Sequence, residues 1–326
     1  MTFKAYRLFK EGDASRGQLV TTTLDELDAG DVVVRTAYAG VNFKDALAAT
    51  GRAPIVRRFP CIGGIEAVGE VVESASADFP PGAPVILHGR GLGVSHDGGF
   101  AEYVRVPADW VVPLPAGLTM QEAASLGVAG HTAAVAIDLM ERNGLAPERG
   151  PVAVTGATGG VASLSIDMLS GLGYEVAAVS RKSDSHDYLR SLGAQQMISA
   201  PASDAPAKPL ESAQWAGAVD AAGGHLLAWL LRTMAPNGTI ACFGNAAGIE
   251  LHTTVLPFIL RGVRLLGVNA DTEPDYRRQV WARLAGDLKP RHLAAITTSI
   301  TLDDLPRLFE RMADGQTTGR YVVHFD

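Results

Sequence analysis

The feature that most constrains the fold is a glycine-rich turn between an apolar strand and an apolar helix. Residues 151–155 predict a strand, and residues 161–172 carry apolar side chains at helical spacing. Between them lies the sequence Gly156-Ala157-Thr158-Gly159-Gly160-Val161-Ala162. In a unit of this kind that binds a dinucleotide, the first glycine allows a tight turn and the second lets the backbone approach a pyrophosphate. The turn also suits an α/β protein that binds no nucleotide, but we predict dinucleotide binding through Gly156, Thr158, Gly159, Gly160 and Val161.

Strands and helices alternate after this turn. Residues 174–179, 216–220, 239–243 and 263–268 predict strands, and residues 184–192 and the segment that ends near 231 predict helices. Such alternation is typical of a parallel sheet with right-handed crossovers. The predicted fold class is therefore α/β, with a Rossmann doubly wound parallel sheet.

The residues before Thr119 have a different pattern. Short apolar runs at 32–34, 67–72, 85–87 and 100–106 are separated by Gly, Pro and Asp turns, and one helix is predicted at 42–49. Thr119 and Glu122 have the spacing of a capping box, which predicts the start of a long Ala-rich helix between two domains. A last strand at 321–325 is predicted to return to the first sheet. We therefore predict a largely β domain from 1–122 and 271–326, and a Rossmann domain from 123–270.

The residues after the second strand of the parallel sheet predict the cofactor. An NAD-binding protein places Asp or Glu here, about 20 residues after the glycine turn, to bind the ribose 2′-hydroxyl. This chain has Ser180-Arg181-Lys182 instead. A hydroxyl, a guanidinium and an ammonium group bind a 2′-phosphate, and no carboxylate repels it, so we predict NADPH. The alternative is that Arg181 and Lys182 are solvated loop charges.

Charge and composition make some partners and locations improbable for the 326-residue chain. Its 35 acidic and 28 basic side chains give a net charge of −7, and no run of Lys and Arg suits a nucleic acid. There is no signal-peptide core and no uninterrupted apolar stretch of about 18 residues, so we expect a cytoplasmic protein without a membrane partner. Cys61 and Cys242 lie in separate apolar stretches, which predicts buried thiols rather than a disulfide or a metal site.

Several segments resemble the medium-chain dehydrogenase/reductase superfamily. They are residues 40–45 (GVNFKD), 63–69 (GGIEAVG), 98–103 (GGFAEY) and 155–161 (TGATGGV). Residues 184–194 (DSHDYLRSLGA) and 256–263 (LPFILRGV) resemble more narrowly the acrylyl-CoA reductase branch of its zinc-free, quinone-oxidoreductase-like members. The resemblance implies a GroES-like fold for the β domain and NADPH-dependent reduction of acryloyl-CoA to propanoyl-CoA. It also implies a homodimer in which the strand at 263–268 pairs across the two-fold axis.

The resemblance also implies that no metal takes part. Zinc-dependent members have a thiolate and an imidazole, ligands that Zn(II) prefers, where this chain has Asn42 and Ile65. The lobe around residues 90–96, where those members carry structural cysteines, has none.

Within the resemblance, the catalytic corner is expected at Asn42, Phe43, Lys44 and Asp45. Without a metal, hydrogen-bond donors must polarise the substrate carbonyl, and the side-chain amide of Asn42 can supply one. Lys44 and Asp45 are expected to form an ion pair; the alternatives are an N-cap role for Asn42 and a solvated pair of helix charges. Phe43 is expected to pack against the nicotinamide. Relatives usually carry Tyr at this position, so the phenolic proton donor is missing here.

Four more residues are expected to bind the cofactor or substrate. Thr132, on the long helix, is expected to bind a phosphate, and Asn245 and Asn269 are expected near the nicotinamide. Arg320 is expected to contact the cofactor or the CoA phosphates, with a surface salt bridge as the alternative.

Two other functions fit the same features. A quinone oxidoreductase would use the same fold and NADPH site, because fold alone does not fix the substrate. A catalytically silent NADPH-binding redox sensor is compatible with the loss of the phenolic hydroxyl at Phe43.

Overall fold

The computed structural model describes residues 1–12, 14–204 and 207–325. The chain forms two compact units: a first unit of Met1–Val128, Asp271–Ala285 and Leu293–Asp326, and a second unit of Ala129–Ala270 and Gly286–His292. The division at Val128 lies beyond the predicted boundary at 122, and residues 286–292 join the second unit.

The described residues form sixteen strands and nine α-helices. The strands are β1 (Thr2–Glu11), β2 (Ala14–Thr23), β3 (Val32–Val41), β4 (Cys61–Ile62), β5 (Glu66–Ser74), β6 (Pro84–His88), β7 (Tyr103–Val106), β8 (Val111–Pro113), β9 (Val152–Thr155), β10 (Val176–Ser180), β11 (Gln196–Ser199), β12 (Trp215–Asp220), β13 (Met234–Cys242), β14 (Arg264–Gly267), β15 (Thr297–Ile300) and β16 (Arg320–His324). The helices are α1 (Phe43–Ala49), α2 (Met120–Arg142), α3 (Gly160–Gly171), α4 (His186–Ser191), α5 (Gly224–Thr233), α6 (Leu256–Arg261), α7 (Pro274–Ala285), α8 (Leu293–Ile296) and α9 (Leu305–Ala313).

The first unit is built on two sheets. β1 pairs with β2 and β4, and a seven-stranded sheet has the order β15-β16-β3-β5-β6-β8, with β7 also paired to β3. β16 runs antiparallel to β3, with Tyr321 opposite Val41, which confirms that the last strand returns to the first sheet. Helices α1 and α9 pack in one core through Ala46, Leu305 and Phe309, so the position of α1 depends on a late part of the chain.

The second unit contains the predicted Rossmann sheet. Its six parallel strands have the order β11-β10-β9-β12-β13-β14, and every residue of β9 and β12 is buried. Numbered within this sheet, the order is 3-2-1-4-5-6, the doubly wound arrangement in which a dinucleotide lies where the strand order reverses. That reversal falls between β9 and β12, and we call it the switch point.

Helix α2 is broken where the sequence predicts a continuous helix. The capping box at its start is present, since the Glu122 carboxylate accepts the Thr119 N–H at 2.8 Å. At Gly127 the backbone leaves the helical region, with φ 48° and ψ −148°. A Cβ atom on Gly127 would overlap the carboxylate of Glu66, which also accepts the N–H of Val128. The helix is long and apolar enough to cross a membrane, but 89% of its most apolar window is buried, as in a core helix.

The break predicts a large effect of Gly127→Ala on stability. The variant forces an L side chain into a conformation that glycine tolerates and crowds a buried carboxylate, so we expect a loss of more than about 2 kcal/mol in the free energy of unfolding. Gly171→Ala is the matched control: Gly171 ends α3, and its added Cβ would meet only the Arg291 side chain at 3.7 Å. Calorimetric melting temperatures measure both. Equal effects of the two variants would contradict the prediction.

Candidate active site

Asn42 and Asp45 form the start of helix α1. Asn42 is the N-cap residue and forms a capping box with Asp45, whose Oδ2 accepts the Asn42 N–H at 2.8 Å. Asp45 Oδ1 accepts the N–H of Ile65 at 3.2 Å, which ties the helix to the loop before β5. The N-cap interpretation of Asn42 is therefore confirmed.

The predicted ion pair between Lys44 and Asp45 is wrong. Asp45 is only 5% exposed and its carboxylate accepts backbone N–H groups, whereas Lys44 is exposed. Neighbouring residues of a helix point in different directions, so the two side chains do not face each other. Burial raises the pKa of Asp45 to about 7; the N–H groups of Asn42 and Ile65 oppose the shift, and the negative charge of Glu66 adds to it.

Arg320 is buried beside this corner, and its expected role is corrected by the structure. The side chain is 2% exposed and pairs with Glu66, with Nη2 2.5 Å from Oε1. Nε donates to the Ser125 carbonyl at 3.1 Å, and Nη1 donates to the carbonyl of Val41 at 2.9 Å. The guanidinium is thus held inside the first unit. We reassign Arg320 from a cofactor or CoA contact to an internal ion pair, buried rather than on the surface.

The same guanidinium fixes the orientation of the Asn42 amide. Arg320 Nη1 donates to Asn42 Oδ1 at 3.0 Å. Because an arginine has only donors, the atom that faces it must be the amide oxygen. The Nδ2 group is then the remaining donor of this side chain; it is shielded from solvent and makes no hydrogen bond of normal geometry among the described residues, but it acts on the Asp45 carboxylate and opposes the rise of its pKa. Phe43, the next residue, begins α1 and is 39% exposed.

The glycine turn of the second unit has the geometry of a phosphate-binding turn. Gly156 has φ +59°, which favours glycine, and the Gly159 N–H donates to its carbonyl at 2.8 Å. Helix α3 then begins at Gly160 without a side-chain cap. Its first N–H groups are available to an anion, and the positive end of the helix dipole favours one. The turn follows β9 at the switch point, so the residues present fit a dinucleotide.

The residues predicted to bind the 2′-phosphate lie at the end of strand β10 in the same unit. Ser180 is the last residue of the strand, and its Oγ accepts the Lys182 N–H at 3.0 Å. Arg181 is exposed, and Lys182 is partly buried. Burial lowers the pKa of Lys182, the carboxylate of Asp184 opposes this shift, and the positive charge of Arg181 adds to it. An anion bound here would favour both cations.

The other predicted cofactor residues are also in the second unit. Asn245 is exposed in the loop after β13, and Asn269 is exposed after β14. Both loops leave the carboxyl ends of parallel strands, the edge at which such sheets bind ligands. Thr132 is 6% exposed on α2. The predicted catalytic residues belong to the first unit, and the predicted nucleotide residues, apart from Phe43 and Arg320, belong to the second.

Three residues that were not predicted to belong to the site organise these corners. Glu66 pairs with Arg320, and Thr155 and Asp220 are joined at the ends of β9 and β12. Of these three, Asp220 could have been identified from the sequence, because it is an acidic residue that ends the apolar run 215–219 directly before Ala-Ala-Gly-Gly.

Within the described residues, no group of three or more His, Cys, Asp or Glu side chains could hold a metal ion. His88 accepts a hydrogen bond from Trp281 Nε1 at 2.9 Å, and the His96 ring lies 3.1 Å from the Asp97 carbonyl. Both cysteines are free, with Cys61 buried and Cys242 partly buried.

Comparisons with known proteins agree with this architecture. The alcohol dehydrogenase GroES-like domain matches residues 28–116, and the zinc-binding dehydrogenase domain matches residues 160–286. Together with full-length relatives at 42% identity, these matches show that the chain belongs to the medium-chain dehydrogenase/reductase superfamily of oxidoreductases. The predicted superfamily and fold class are confirmed.

Within the superfamily, the chain is similar to three particular proteins. It is 42% identical to the putative quinone oxidoreductase YhfP of Bacillus subtilis and to the acrylyl-CoA reductase AcuI of Ruegeria pomeroyi, in each case over 98% of both chains. The crystal structure of the YhdH oxidoreductase from Salmonella enterica in complex with NADP is 42% identical, with a TM-score of 0.96 over 99% of this chain and 100% of that one. The structure of B. subtilis YhfP with NAD bound is 41% identical, with a TM-score of 0.96 over the whole of both chains.

The raised pKa of Asp45 predicts the pH dependence of an Asp45→Asn variant. Between the unfolded pKa near 4 and the folded pKa of about 7, the folded wild type keeps a proton that the unfolded chain has lost. This group therefore lowers the free energy of unfolding as the pH rises through that range, and the variant lacks the effect. We expect the melting temperature of the variant, relative to wild type, to rise between about pH 5 and about pH 8. If calorimetry shows the same difference in melting temperature between variant and wild type at every pH in this range, the raised pKa of Asp45 is contradicted.

Proposed function

We propose that the protein reduces an activated carbon–carbon double bond with NADPH, with acryloyl-CoA as the substrate and propanoyl-CoA as the product. The observation that carries the proposal is the phosphate-binding turn at the switch point together with Ser180, Arg181 and Lys182 at the end of the next strand. The NADP complex of YhdH and the similarity to AcuI support the cofactor and the substrate class, respectively.

Different residues of this chain would bind the cofactor and polarise the substrate carbonyl. Gly156, Gly159 and the first N–H groups of α3 would hold the pyrophosphate, and Arg181 and Lys182 would hold the 2′-phosphate. NADPH, when bound, supplies a hydride to the β-carbon of the acceptor. Asn42 Nδ2 would donate to the thioester oxygen and stabilise the negative charge that develops there. An acceptor at this donor would also offset the cost of leaving it buried without a hydrogen bond.

Phe43 limits where the proton for the α-carbon can come from. It has no hydroxyl group and cannot donate the proton itself. Its exposed ring would pack against the nicotinamide, and solvent or a substrate hydroxyl would supply the proton. Lys44 is exposed, and Asp45 acts on Asn42 through the helix start rather than by pairing with Lys44.

A quinone acceptor is the second candidate, because the relative YhfP is named a putative quinone oxidoreductase. The same NADPH site would serve it. A quinone carries two carbonyl acceptors and no pantetheine arm, so acceptor selectivity separates the two functions.

We also propose a cytoplasmic homodimer formed through the strand at 263–268. β14 lies at one edge of the parallel sheet, and nearby residues of the second unit expose apolar side chains. They are Val255 (64% exposed), Ile259 (67%) and Leu260 (65%). Exposed apolar side chains that closely precede an edge strand in the chain are the kind of surface that a second copy would cover.

The cofactor assignment predicts the effect of replacing both cations. The Arg181→Ala, Lys182→Ala double variant should raise KM for NADPH by about 10- to 100-fold and leave KM for NADH within about threefold, because only NADPH has the 2′-phosphate. Arg190→Ala, on the exposed face of α4, is the control and should change neither constant. Steady-state kinetics with both cofactors measure this. A wild type that prefers NADH, or uses both equally, would refute the assignment.

The substrate assignment predicts that acryloyl-CoA is used in preference to benzoquinone. We expect the kcat/KM of the wild type to be at least about 100-fold higher for acryloyl-CoA than for benzoquinone. Asn42→Asp should lower kcat for acryloyl-CoA by about 100-fold, because the donor is lost while the contact with Arg320 is kept. KM for NADPH should stay within about threefold. Faster turnover of benzoquinone would favour the quinone function, and NADPH binding without turnover of enoyl-CoAs, enals or quinones would favour a redox sensor.

A further inference from the structure

A side-chain hydrogen bond joins the two strands that flank the switch point. Thr155 is the last residue of β9, and Asp220 is the last residue of β12. The Thr155 hydroxyl donates to Asp220 Oδ1 at 2.6 Å, and both residues are fully buried. The last residues paired between these strands are Val154 and Val219. The side chains therefore continue the connection one residue beyond the end of the backbone ladder.

The same two side chains also hold the loop that follows β12. Thr155 Oγ1 accepts the N–H of Ala221 at 3.1 Å. Asp220 Oδ1 accepts the N–H of Ala222 at 3.3 Å, and Oδ2 accepts that of Gly223 at 2.9 Å. The hydroxyl is thus both donor and acceptor, and removing it would break two contacts at once.

This loop lies against the phosphate-binding turn and against the loop after β13. A Cβ atom added to Gly156 would lie 3.6 Å from the Cβ of Ala221. The Ala247 N–H donates to the carbonyl of Ala222 at 2.7 Å, and a Cβ on Gly244 would overlap the backbone of Ala221. The three loops that follow the carboxyl ends of β9, β12 and β13 are therefore held together around the carboxylate of Asp220.

A contribution to stability does not by itself explain why the carboxylate of Asp220 is buried here. An apolar pair of similar volume costs less to bury, and in some proteins a buried polar group is retained because it fixes one arrangement. Strands β9 and β12 also mark the point where the strand order reverses, so no crossover helix spans them directly to set the spacing of their loops.

We propose that Thr155 and Asp220 are positioning residues for the cofactor: their hydrogen bond sets the distance between the glycine turn and the 221–223 loop to fit a dinucleotide. The inference rests on the proposed function only in that NADPH binds at the switch point, and it is independent of the acceptor. Neither side chain needs to touch the cofactor.

The test compares Thr155→Val with Thr155→Ser in the full-length protein. Valine keeps the shape and removes the hydroxyl, whereas serine keeps the hydroxyl. We expect Thr155→Val to raise the Kd for NADPH by about tenfold or more and Thr155→Ser to stay within about threefold of wild type, by fluorescence titration without an acceptor. At saturating NADPH, kcat with whichever acceptor the wild type reduces should stay within about threefold, which places the effect on binding.

Thr239→Val is the matched control. Thr239 is 1% exposed on β13 of the same unit, and its hydroxyl has no hydrogen-bond partner among the described residues. The same replacement there should leave the Kd for NADPH unchanged. If Thr155→Val does not fold, Asp220→Asn provides the second variant: it keeps an acceptor for Thr155 but loses one for a loop N–H, and it should raise the Kd by about tenfold.

The outcomes separate this inference from the proposed function. A wild type that binds neither NADPH nor NADH would overturn both. Binding by wild type with an unchanged Kd in Thr155→Val, or with equal losses in Thr155→Val and Thr155→Ser, would overturn the positioning role alone. Failure to reduce acryloyl-CoA would affect only the proposed substrate, because the titration needs no acceptor.

Discussion

Glu66 and Arg320 are both almost fully buried, and neither charge is tolerable in that environment without the other. Around this pair the first unit brings together parts of the chain that are distant in sequence: β5, β16, the end of β3 and the broken helix α2. The remaining guanidinium donors satisfy backbone carbonyls and the amide oxygen of Asn42. The orientation of the proposed carbonyl donor is therefore a consequence of a pair whose members lie 254 residues apart.

The second unit uses a buried acid in a similar way. Burial raises the pKa of Asp220, and hydrogen bonds from the Thr155 hydroxyl and the Gly223 N–H oppose this shift. Glu66 accepts from the Arg320 guanidinium and the Val128 N–H, and Asp220 accepts from a hydroxyl and two backbone N–H groups, so each buried carboxylate orders the backbone around it instead of offering a charge to solvent. Asp45 does the same at the start of α1. The acids that organise the candidate site are for this reason acids that a ligand does not need to meet.

Local patterns in the sequence predicted much of this architecture. The glycine turn, the capping box at Thr119 and the alternation after residue 151 are determined by neighbours in sequence, and the structure contains all three. The break at Gly127 was missed because it depends on Glu66, a partner distant in sequence. The roles expected for Arg320 and for the Lys44–Asp45 pair failed for a related reason: burial and backbone partners decide where a charge points, and neither can be read from spacing. Strand β1 was missed because its alternation is interrupted: Phe3 and Ala5 are buried in one register, and the pattern then shifts by one residue to Tyr6 and Leu8.

The pairing of β16 with β3 has a consequence for the order in which the protein folds during synthesis. All six strands of the second unit lie between residues 152 and 267, so its sheet is complete before β16 has been made. The first unit begins earlier in the chain, but its sheet is complete only when β16 and Arg320, which follow the second unit in the sequence, have been made. Until then, the edge of β3 is open and the Glu66 carboxylate lacks its counter-ion. The inserted second unit can therefore complete its sheet during synthesis before the first unit does, the reverse of the usual order in which the N-terminal domain folds first.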